Sequence, residues 1–444
     1  MTSSVEHSPP AGQATVAASS TKSSVGSSVK SSAQSSTKWT GLDTSWVLSL
    51  FGTAVGAGIL FLPIRAGSGG LWPLIIMTLL IGPMTFLSHR ALSRFVLHSA
   101  NPGADITRVV EEYFGSGAGK LITILYFFAI YPIVLIYGVG ITNTVDSLLV
   151  NQLGIASPPR WILSAVLIAL MMAVMVSGER IILMVTGWVV YPLIFILIGV
   201  TLYLIPSWSF TGLTDAQPVP AMLLTVWITI PVLVFAFNHS PAISQFSLAM
   251  ERHYGKDAPR KSSQILKVNA FMLVLFTMGF VFSCVFALGP DGLAAAREAN
   301  LPVLSHLANV HGSPVIAYLG PIIAITAIMS SFFGHYFGAA EGAAGIVRGF
   351  TGGDDSRISP RTVKKGIAVF IFITTWLAAI ANPSILGLIE TIAGPVIASI
   401  LYLMPMYAIH KIDRLKPYRG QLSNVFITIA GIAAVTSILF SFVQ

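Results

Sequence analysis

The chain has 444 residues, of which 54% are hydrophobic and only 9% are charged, and its mean hydropathy is +0.80. A soluble domain carries charge on about 25% of its residues, so this composition excludes a soluble globular enzyme. The net charge of +8 needs no nucleic-acid partner, because cations that flank membrane spans explain it. The single cysteine, Cys284, excludes an internal disulfide and a cysteine metal site.

Residues 1–38 differ in composition from the rest of the chain. They contain 13 serines and no apolar run, so they cannot bury enough surface to offset the entropy lost on folding. We therefore expect a disordered cytoplasmic tail, either regulatory or simply solvated, followed by one membrane domain over residues 39–444.

Long apolar stretches fill the chain from Thr44 onward. A membrane-spanning helix needs about 20 mainly apolar residues, and we find eleven candidates. They lie at about 44–64, 70–95, 119–149, 160–178, 181–205, 221–249, 264–289, 314–340, 363–381, 385–409 and 423–443. The sequence therefore predicts an all-α polytopic membrane protein with eleven transmembrane helices, numbered as spans one to eleven.

The placement of lysine and arginine predicts the orientation of these spans. With a cytoplasmic N-terminus, 22 of the 25 cations lie in or beside cytoplasmic segments, and only Arg65, Arg160 and Arg297 lie outside. Cytoplasmic loops carry this excess in membrane proteins, and one missed span would invert every later loop. The C-terminus at Gln444 is accordingly expected outside.

A short cytoplasmic helix is predicted between spans two and three, over residues 105–115. Asp105 or Thr107 is placed to cap its start and Gly115 to end it. Its role is left open between gating and a solvated connection.

Two of the spans contain breaks. Span one reads GTAVGAGILFLP over 52–63, with Gly56 and Gly58 at mid-membrane, where glycine permits unwinding. Span six interrupts its apolar run with Asn-His-Ser-Pro over 238–241, and proline cannot donate a backbone N–H. Interrupted spans at matching places in two halves indicate a transporter site, whereas the alternative is kinks that only aid packing.

The two breaks each open a group of five spans. Eleven spans then divide into a five-plus-five inverted repeat, over about 44–205 and 221–409, with one extra helix at 423–443. No residue-level identity is evident between the halves, so this prediction rests on the breaks and their spacing.

The chemistry of the breaks predicts the class of ligand. A half-helix that begins near Gly58 directs free N–H groups and a positive dipole end at a cavity, which suits a carboxylate. A half-helix that ends near Phe235 to Phe237 exposes carbonyls, which suit an ammonium group or a cation. Together they predict a receptor for an α-amino acid.

Several stretches resemble the hydroxy/aromatic amino acid permease family and, within it, the serine/threonine branch. They are GTAVGAGILFLP (52–63), PMTFLSHRALSRFVL (83–97), NPGADITRVVEEYFG (101–115), SFFGHYFGAAEG (331–342) and NPSILGLIETIAGPVIASILYLMPMYAI (382–409). The resemblance covers most of residues 40–444. It implies a bacterial inner-membrane symporter with a five-plus-five inverted-repeat fold, which takes up serine, with threonine left open, on an ion gradient.

One position departs from the pattern that the resemblance implies. Where that branch is expected to carry a lysine, this sequence has Ser330, followed by Ser331. Two serines cannot titrate, but their hydroxyl oxygens suit Na⁺ beside the carbonyls of span one. The coupling ion therefore stays open between H⁺ and Na⁺.

Polar residues at membrane depth are the other candidates. Tyrosines in span three commonly contact the substrate carboxylate in the implied fold, which singles out Tyr131 and Tyr137, with ordinary aromatic packing as the alternative. The expected substrate contacts are Thr53, Gly56, Ala57, Gly58, Tyr131, Phe237, Asn238, His239 and Ser240. His239 is open between substrate contact, proton relay and packing.

Ion coupling or gating is expected at a second set, which comprises Ser330, Ser331, His335, Glu390 and Arg65. Glu390 in span ten is open between a proton carrier, an outer gate with Arg65 and a structural hydrogen bond. His335 is open between function and a hydrogen bond to a neighbouring helix.

No motif for ATP binding, metalloprotease or serine-hydrolase chemistry occurs in the sequence. We therefore expect no enzyme and no cofactor beyond the coupling ion. The expected partners are the amino acid and the lipid bilayer, without nucleic acid or an obligatory protein partner. The alternatives are a permease for another small or aromatic amino acid and, less favoured, a channel, which would need a continuous pore.

Overall fold

Helices make up nearly all of the described chain. The computed structural model describes residues 38–177, 179–215, 217–351 and 359–441, and no β-strand occurs within those ranges. The tail predicted at 1–38 lies outside them apart from Lys38. From Trp39 onward the chain forms one compact unit.

The helices are numbered in chain order. They are α1 (Gly41–Ala54), α2 (Ala57–Ala66), α3 (Leu71–Leu97), α4 (Ile106–Ser147), α5 (Arg160–Val176), α6 (Glu179–Tyr203), α7 (Val219–Ala236), α8 (Ser240–Tyr254), α9 (Ala258–Leu273), α10 (Gly279–Glu298), α11 (Val303–Val310), α12 (Pro314–Phe350), α13 (Pro360–Ala381), α14 (Ile385–Leu388), α15 (Gly394–Ala398), α16 (Met404–Lys411) and α17 (Leu422–Ser441). Short π-helical turns join α9 to α10 and link α14, α15 and α16.

Each predicted span coincides with one of these helices or with a consecutive set of them. Within the described residues, seven helical stretches are long and apolar enough to cross a membrane, and α1 with the helix after it adds one bent pair. Helices such as α5, with 17 residues, fall short of that length. Length and hydropathy thus support a multi-pass membrane protein, with seven or eight long spans among the described residues, and the predicted number of eleven stays a prediction.

The first break lies at the glycines that the sequence singled out. Val55 leaves the helical region with ψ +91°, and Gly56 follows at φ −147° and ψ −148°. The two flanking helices are bent by 57°. No side chain caps the start of α2, so its first N–H groups point into the break without an internal partner.

The second break lies between α7, which ends at Ala236, and α8, which begins at Ser240. Pro241 occupies the first turn of α8, where its missing N–H costs no hydrogen bond. The Asn238 side chain accepts a hydrogen bond from the Ser240 N–H at 3.0 Å. The interruption predicted at 238–241 is therefore present.

The backbones of the two broken spans touch each other. A Cβ atom added to Gly58 would lie 2.6 Å from the Cα of Ala236 and 2.9 Å from a ring carbon of Phe235. Real Cβ atoms essentially never approach so closely. Gly58 is therefore required for the contact between α2 and α7.

The short helix between spans two and three begins and ends as predicted. The Asp105 carboxylate accepts hydrogen bonds from the N–H groups of Thr107 at 3.0 Å and Arg108 at 3.1 Å. Gly115, with φ +78°, separates this helix from the long membrane part of α4. The segment packs its start against α8, through Ser244.

A buried ion pair fixes the start of α1. Lys261 on α9 lies 2.8 Å from the carboxylate of Asp43, and the two side chains are 3% and 0% exposed. The Tyr254 hydroxyl donates to the same carboxylate at 2.6 Å, and the Thr40 N–H donates at 3.0 Å. These bonds tie α1 to the end of α8 and to α9.

Replacing Asp43 with Asn should destabilise the protein strongly, because it removes the carboxylate that pairs with the buried Lys261 ammonium. Loss of one partner of a buried pair costs about 3–5 kcal/mol, so the unfolding temperature in detergent should fall clearly. Asp413→Asn is the control, since that carboxylate is 94% exposed in its pair with Arg419. An Asp43→Asn variant that unfolds at the wild-type temperature would contradict this account of the pair.

Candidate functional site

A hydrogen-bond chain joins the end of α1 to the middle of α12. The Tyr137 hydroxyl lies 2.6 Å from the Ser331 hydroxyl, which donates in turn to the carbonyl of Thr53 at 2.8 Å. Because Ser331 uses its proton on Thr53, Tyr137 is the donor in the first bond. This chain supplies a partner for a carbonyl at the end of α1, where no further helical turn follows.

His335 completes this cluster, one turn beyond Ser331 on α12. Its Nδ1 lies 2.9 Å from the Ser331 carbonyl oxygen, so Nδ1 carries the proton and donates it. The Tyr137 ring meets the His335 ring edge-on at 5.3 Å. We call Thr53, Tyr137, Ser331 and His335 the α1–α12 junction.

The junction lies directly against the first break. A Cβ atom on Gly56 would overlap the Ser331 side chain and lie 3.2 Å from the Tyr137 oxygen. The uncapped start of α2 therefore faces a tyrosine and a serine hydroxyl in a region closed to solvent. Free N–H groups at the start of a helix can hold a carboxylate. Ala57 begins α2, but its side chain lies outside the described part of the structure.

Only one of the two adjacent serines reaches span one. The Ser330 hydroxyl donates to the carbonyl of Ala327 in its own helix at 3.0 Å. The Thr53 hydroxyl likewise donates to Ser49 in its own helix at 2.9 Å, so this residue contributes its carbonyl to the junction. A sodium ion would therefore find two oxygens together here, from Ser331 and Thr53, and not a set that includes Ser330.

His239 lies at the second break but faces away from the junction. Its ring stacks on that of His89 from α3, with centroids 3.5 Å apart and planes inclined by 6°. The His239 N–H donates to Nε2 of His89, and Nδ1 of His89 donates to the Thr85 carbonyl. Both nitrogens of His89 are satisfied in a neutral ring.

The His239 ring is also satisfied when neutral. Its Nδ1 donates to the Phe237 carbonyl at 3.1 Å, and its Nε2 accepts from the Asn269 amide at 3.2 Å. The four residues of this cluster, His89, Phe237, His239 and Asn269, are almost fully buried. The histidine therefore packs between α3, α8 and α9, and the structure does not bring it to the cluster around Ser331.

Asn238 offers the free polar group at the second break. Its oxygen accepts from Ser240, but its amide nitrogen is buried and has no hydrogen-bond partner among the described residues. A buried donor without a partner costs about 1–3 kcal/mol, so this nitrogen is available to a ligand. Phe237 and Ser240 are buried beside it.

The two tyrosines of span three face different neighbours. Tyr137 belongs to the junction, whereas Tyr131 stacks on Phe127 at 4.7 Å and on Phe370 of α13 at 5.5 Å. Those two phenylalanines line an apolar groove of about 440 Å³ between α12 and α13. Of the two tyrosines, Tyr137 is the one placed to meet a ligand at the first break.

An ion-pair cluster lies at the other end of α2. The Arg65 Nε is 3.1 Å from the carboxylate of Glu390, and a guanidinium nitrogen of Arg297 is 3.9 Å from it. Arg65 and Glu390 are 16% and 18% exposed, and their close atoms form an ion pair without hydrogen-bond geometry. The structure thus brings together the two residues that the sequence paired, and it adds Arg297.

Several polar residues of the membrane domain were not singled out from the sequence. They are Asp43, His89, Lys261, Asn269 and Glu341. Glu341 falls one residue beyond the predicted end of span eight, whereas α12 continues to Phe350. His89 and Glu341 lie inside the stretches that carry the family resemblance, which was the available signal for them.

Comparison with known proteins agrees with this architecture. The model of the tryptophan/tyrosine permease family matches residues 44–440. The chain is 52% identical over 409 residues to the serine transporter SdaC of Escherichia coli K12, covering 91% of this chain and 95% of that one. The Shigella flexneri serine transporter SdaC is 51% identical over the same length.

Two solved transporters share the fold at low identity. One is MhsT in complex with L-phenylalanine, with a TM-score of 0.51 and 15% identity over 91% of this chain and 98% of that one. The other is a mutant manganese transporter of Eremococcus coleocola, with a TM-score of 0.58 and 15% identity over 90% of this chain and 85% of that one. The resemblance to the serine branch of the hydroxy/aromatic permeases is confirmed. The chain belongs to the tryptophan/tyrosine permease family, whose members are membrane transporters of amino acids and not enzymes.

Proposed function

We propose that this protein is a secondary active symporter that carries serine into the cytoplasm with H⁺ or Na⁺ by alternating access. The observation that carries the proposal is the contact between the two broken spans at Gly58 and Ala236. The uncapped start of α2 supplies donors for the substrate carboxylate. The end of α7 supplies carbonyls for the ammonium group.

The proposed substrate is small because the first break leaves little room. A Cβ atom on Gly56 would overlap the Ser331 side chain and lie 3.2 Å from the Tyr137 oxygen, so a substrate side chain must fit beside two side chains that already pack against this glycine. Serine also matches the hydroxyl and amide groups of Tyr137, Ser331 and Asn238. The relatives at 52% identity are serine transporters, which supports serine as the substrate. Another small or aromatic amino acid is the alternative, because the family description names tryptophan and tyrosine.

We further propose eleven spans in a five-plus-five inverted repeat, with α17 as the extra helix. The breaks at α1–α2 and α7–α8 support this division, because each one opens a set of five predicted spans. With a cytoplasmic N-terminus and an outer C-terminus, 22 lysines and arginines lie in or beside cytoplasmic segments and 3 lie outside, and this distribution supports that orientation. In this orientation Asp43 lies inside and Arg65 outside.

The coupling ion in this proposal is either Na⁺ or H⁺, and the two ions would need sites of different chemistry. Sodium would use the Ser331 hydroxyl and the Thr53 carbonyl, which lie 2.8 Å apart, together with ligands from the substrate or water. A proton would need a titratable group instead, and neither Ser330 nor Ser331 provides one.

We also propose that Arg65 and Glu390 form an outer gate. Arg65 belongs to α2 and Glu390 to the π-helical turn at Ile389–Ala393, so the pair bridges span one and span ten on the outer side. A motion that opens the site outward would separate these helices and break the pair. The partial exposure of both side chains allows the released charges to be hydrated.

The wild-type protein in proteoliposomes should accumulate labelled serine when an ion gradient is imposed. Proton and sodium gradients are applied separately, and empty liposomes are the control. If neither gradient drives accumulation of serine, the proposed symport is wrong. Competition by unlabelled threonine, alanine, tryptophan and tyrosine then ranks the substrates.

Tyr137→Phe should lower the rate of serine uptake at low substrate about tenfold, because it removes a buried donor whose partners stay in place. Tyr131→Phe is the matched control in the same helix, and its uptake should stay within about twofold of wild type, since its ring stacking is kept. Equal losses in both variants, at equal yields of folded protein, would contradict the assignment of Tyr137 to the site.

Glu390→Gln should slow uptake about fivefold, which corresponds to about 1 kcal/mol for a partly exposed ion pair. The gate assignment predicts an unchanged pH dependence of uptake, because no transported proton is then carried by this carboxylate. Arg65→Gln should give a similar loss. A Glu390→Gln variant whose uptake no longer depends on pH would instead identify Glu390 as a proton carrier.

A further inference from the structure

One serine hydroxyl links three elements at the cytoplasmic side. Ser244 of α8 accepts a hydrogen bond from the N–H of Ile106, at the start of α4, at 3.2 Å. It donates to the carboxyl group of Glu341 on α12 at 3.3 Å. The second half of broken span six, α8, is thereby joined to α4 and α12, two helices that pack along each other.

The Glu341 carboxyl group has poor support for a negative charge. Among the described residues it forms no ion pair with a lysine, arginine or histidine. The nearby Arg348 is engaged elsewhere, at 2.9 Å from the Thr107 hydroxyl and 3.5 Å from the carboxylate of Asp105. One hydrogen bond from Ser244 is therefore the direct support that it receives.

The other groups around Glu341 do not compensate this charge. The Asp105 carboxylate at the start of α4 acts on Glu341 electrostatically and disfavours a second anion, whereas the Arg348 guanidinium acts in the opposite direction. The Tyr126 hydroxyl is buried and has no hydrogen-bond partner among the described residues. From α8 the group that faces Glu341 is the Ser244 hydroxyl.

The protonation of Glu341 should depend on the position of α8, because a carboxylate without an ion pair is less stable where the two helices pack together. While α8 packs against α12, the Glu341 side chain is only partly exposed, and an anion there has one hydrogen bond, from Ser244, so the closed arrangement favours the neutral acid more than an open one does. When α8 moves away, water reaches the group and favours the anion. A proton that binds more tightly in the closed arrangement than in the open one shifts the equilibrium towards the closed arrangement.

We infer that Glu341 carries the co-transported proton on the cytoplasmic side. The proton forms an O–H bond with the carboxyl group while α8 is closed on α12, and it leaves to cytoplasmic water when α8 opens, which regenerates the carboxylate. This inference rests on the proposed function, and it selects H⁺ over Na⁺ as the coupling ion.

Two other carboxylates differ from Glu341 in their partners. Glu390 lies between Arg65 and Arg297, and Asp43 is paired with Lys261. Positive partners favour the charged form of a carboxyl group, and among the described residues Glu341 has no such ion pair.

Glu341→Gln tests the inference in proteoliposomes of the full chain that enclose a pH-sensitive dye. A gradient of serine into wild-type liposomes should acidify the lumen. In the variant the rate of acidification should fall about tenfold or more, because glutamine cannot take up a proton. Exchange of labelled for unlabelled serine needs no net proton movement and should persist. Glu111→Gln, at an exposed carboxylate of the helix after Asp105, should acidify the lumen as the wild type does.

Each outcome separates the inference from the proposed function. Serine-driven acidification that persists in Glu341→Gln overturns the inference. So does wild-type uptake that only a sodium gradient drives, while symport itself then stands. Wild-type liposomes that accumulate no serine with either gradient overturn the proposed function instead.

Two further variants decide the question if Glu341→Gln neither folds nor exchanges serine. Glu341→Asp keeps a titratable group and should retain acidification with a displaced pH dependence. Ser244→Ala removes the hydrogen bond to the carboxyl group and should displace the pH dependence as well. A pH dependence identical to that of the wild type in both variants overturns the inference.

Discussion

A backbone that leaves the helix inside a membrane must find partners for its N–H and carbonyl groups, and this constraint shapes the centre of the protein. Water is absent from the hydrocarbon region, so each unsatisfied group costs several kcal/mol. The chain leaves the helix at Val55 and Gly56 and again at 237–239. Much of the polar chemistry at membrane depth lies beside these two points.

The partners at the breaks differ in how completely they satisfy the backbone. Ser331 bonds the Thr53 carbonyl, and His89 bonds the N–H of His239. The start of α2 has no side-chain cap, and the Asn238 amide nitrogen has no partner among the described residues. The satisfied groups hold the breaks open, and the unsatisfied groups are the ones that a zwitterionic substrate can complete.

Polar contacts at the two ends of the broken spans have different roles in this arrangement. The buried pair of Asp43 and Lys261 joins α1 to α9, so these helices should move together. The contact of Arg65 with Glu390 and the hydrogen bond of Ser244 with Glu341 instead join each broken span to a different helix. Such contacts are weaker or more exposed, which suits bonds that must break and re-form in each proposed cycle.

The sequence by itself determined the membrane class, the family, the helical segments and both breaks. These features depend on local composition and on residues close in the chain, such as the glycines at 56 and 58 or the Asp105 cap. It could not choose between Tyr131 and Tyr137, because the choice depends on which face of α4 meets α12. Nor could it separate His239 from the site, since that depends on His89, 150 residues away. Only the tertiary structure decided these contacts, because they form between helices that are distant in sequence.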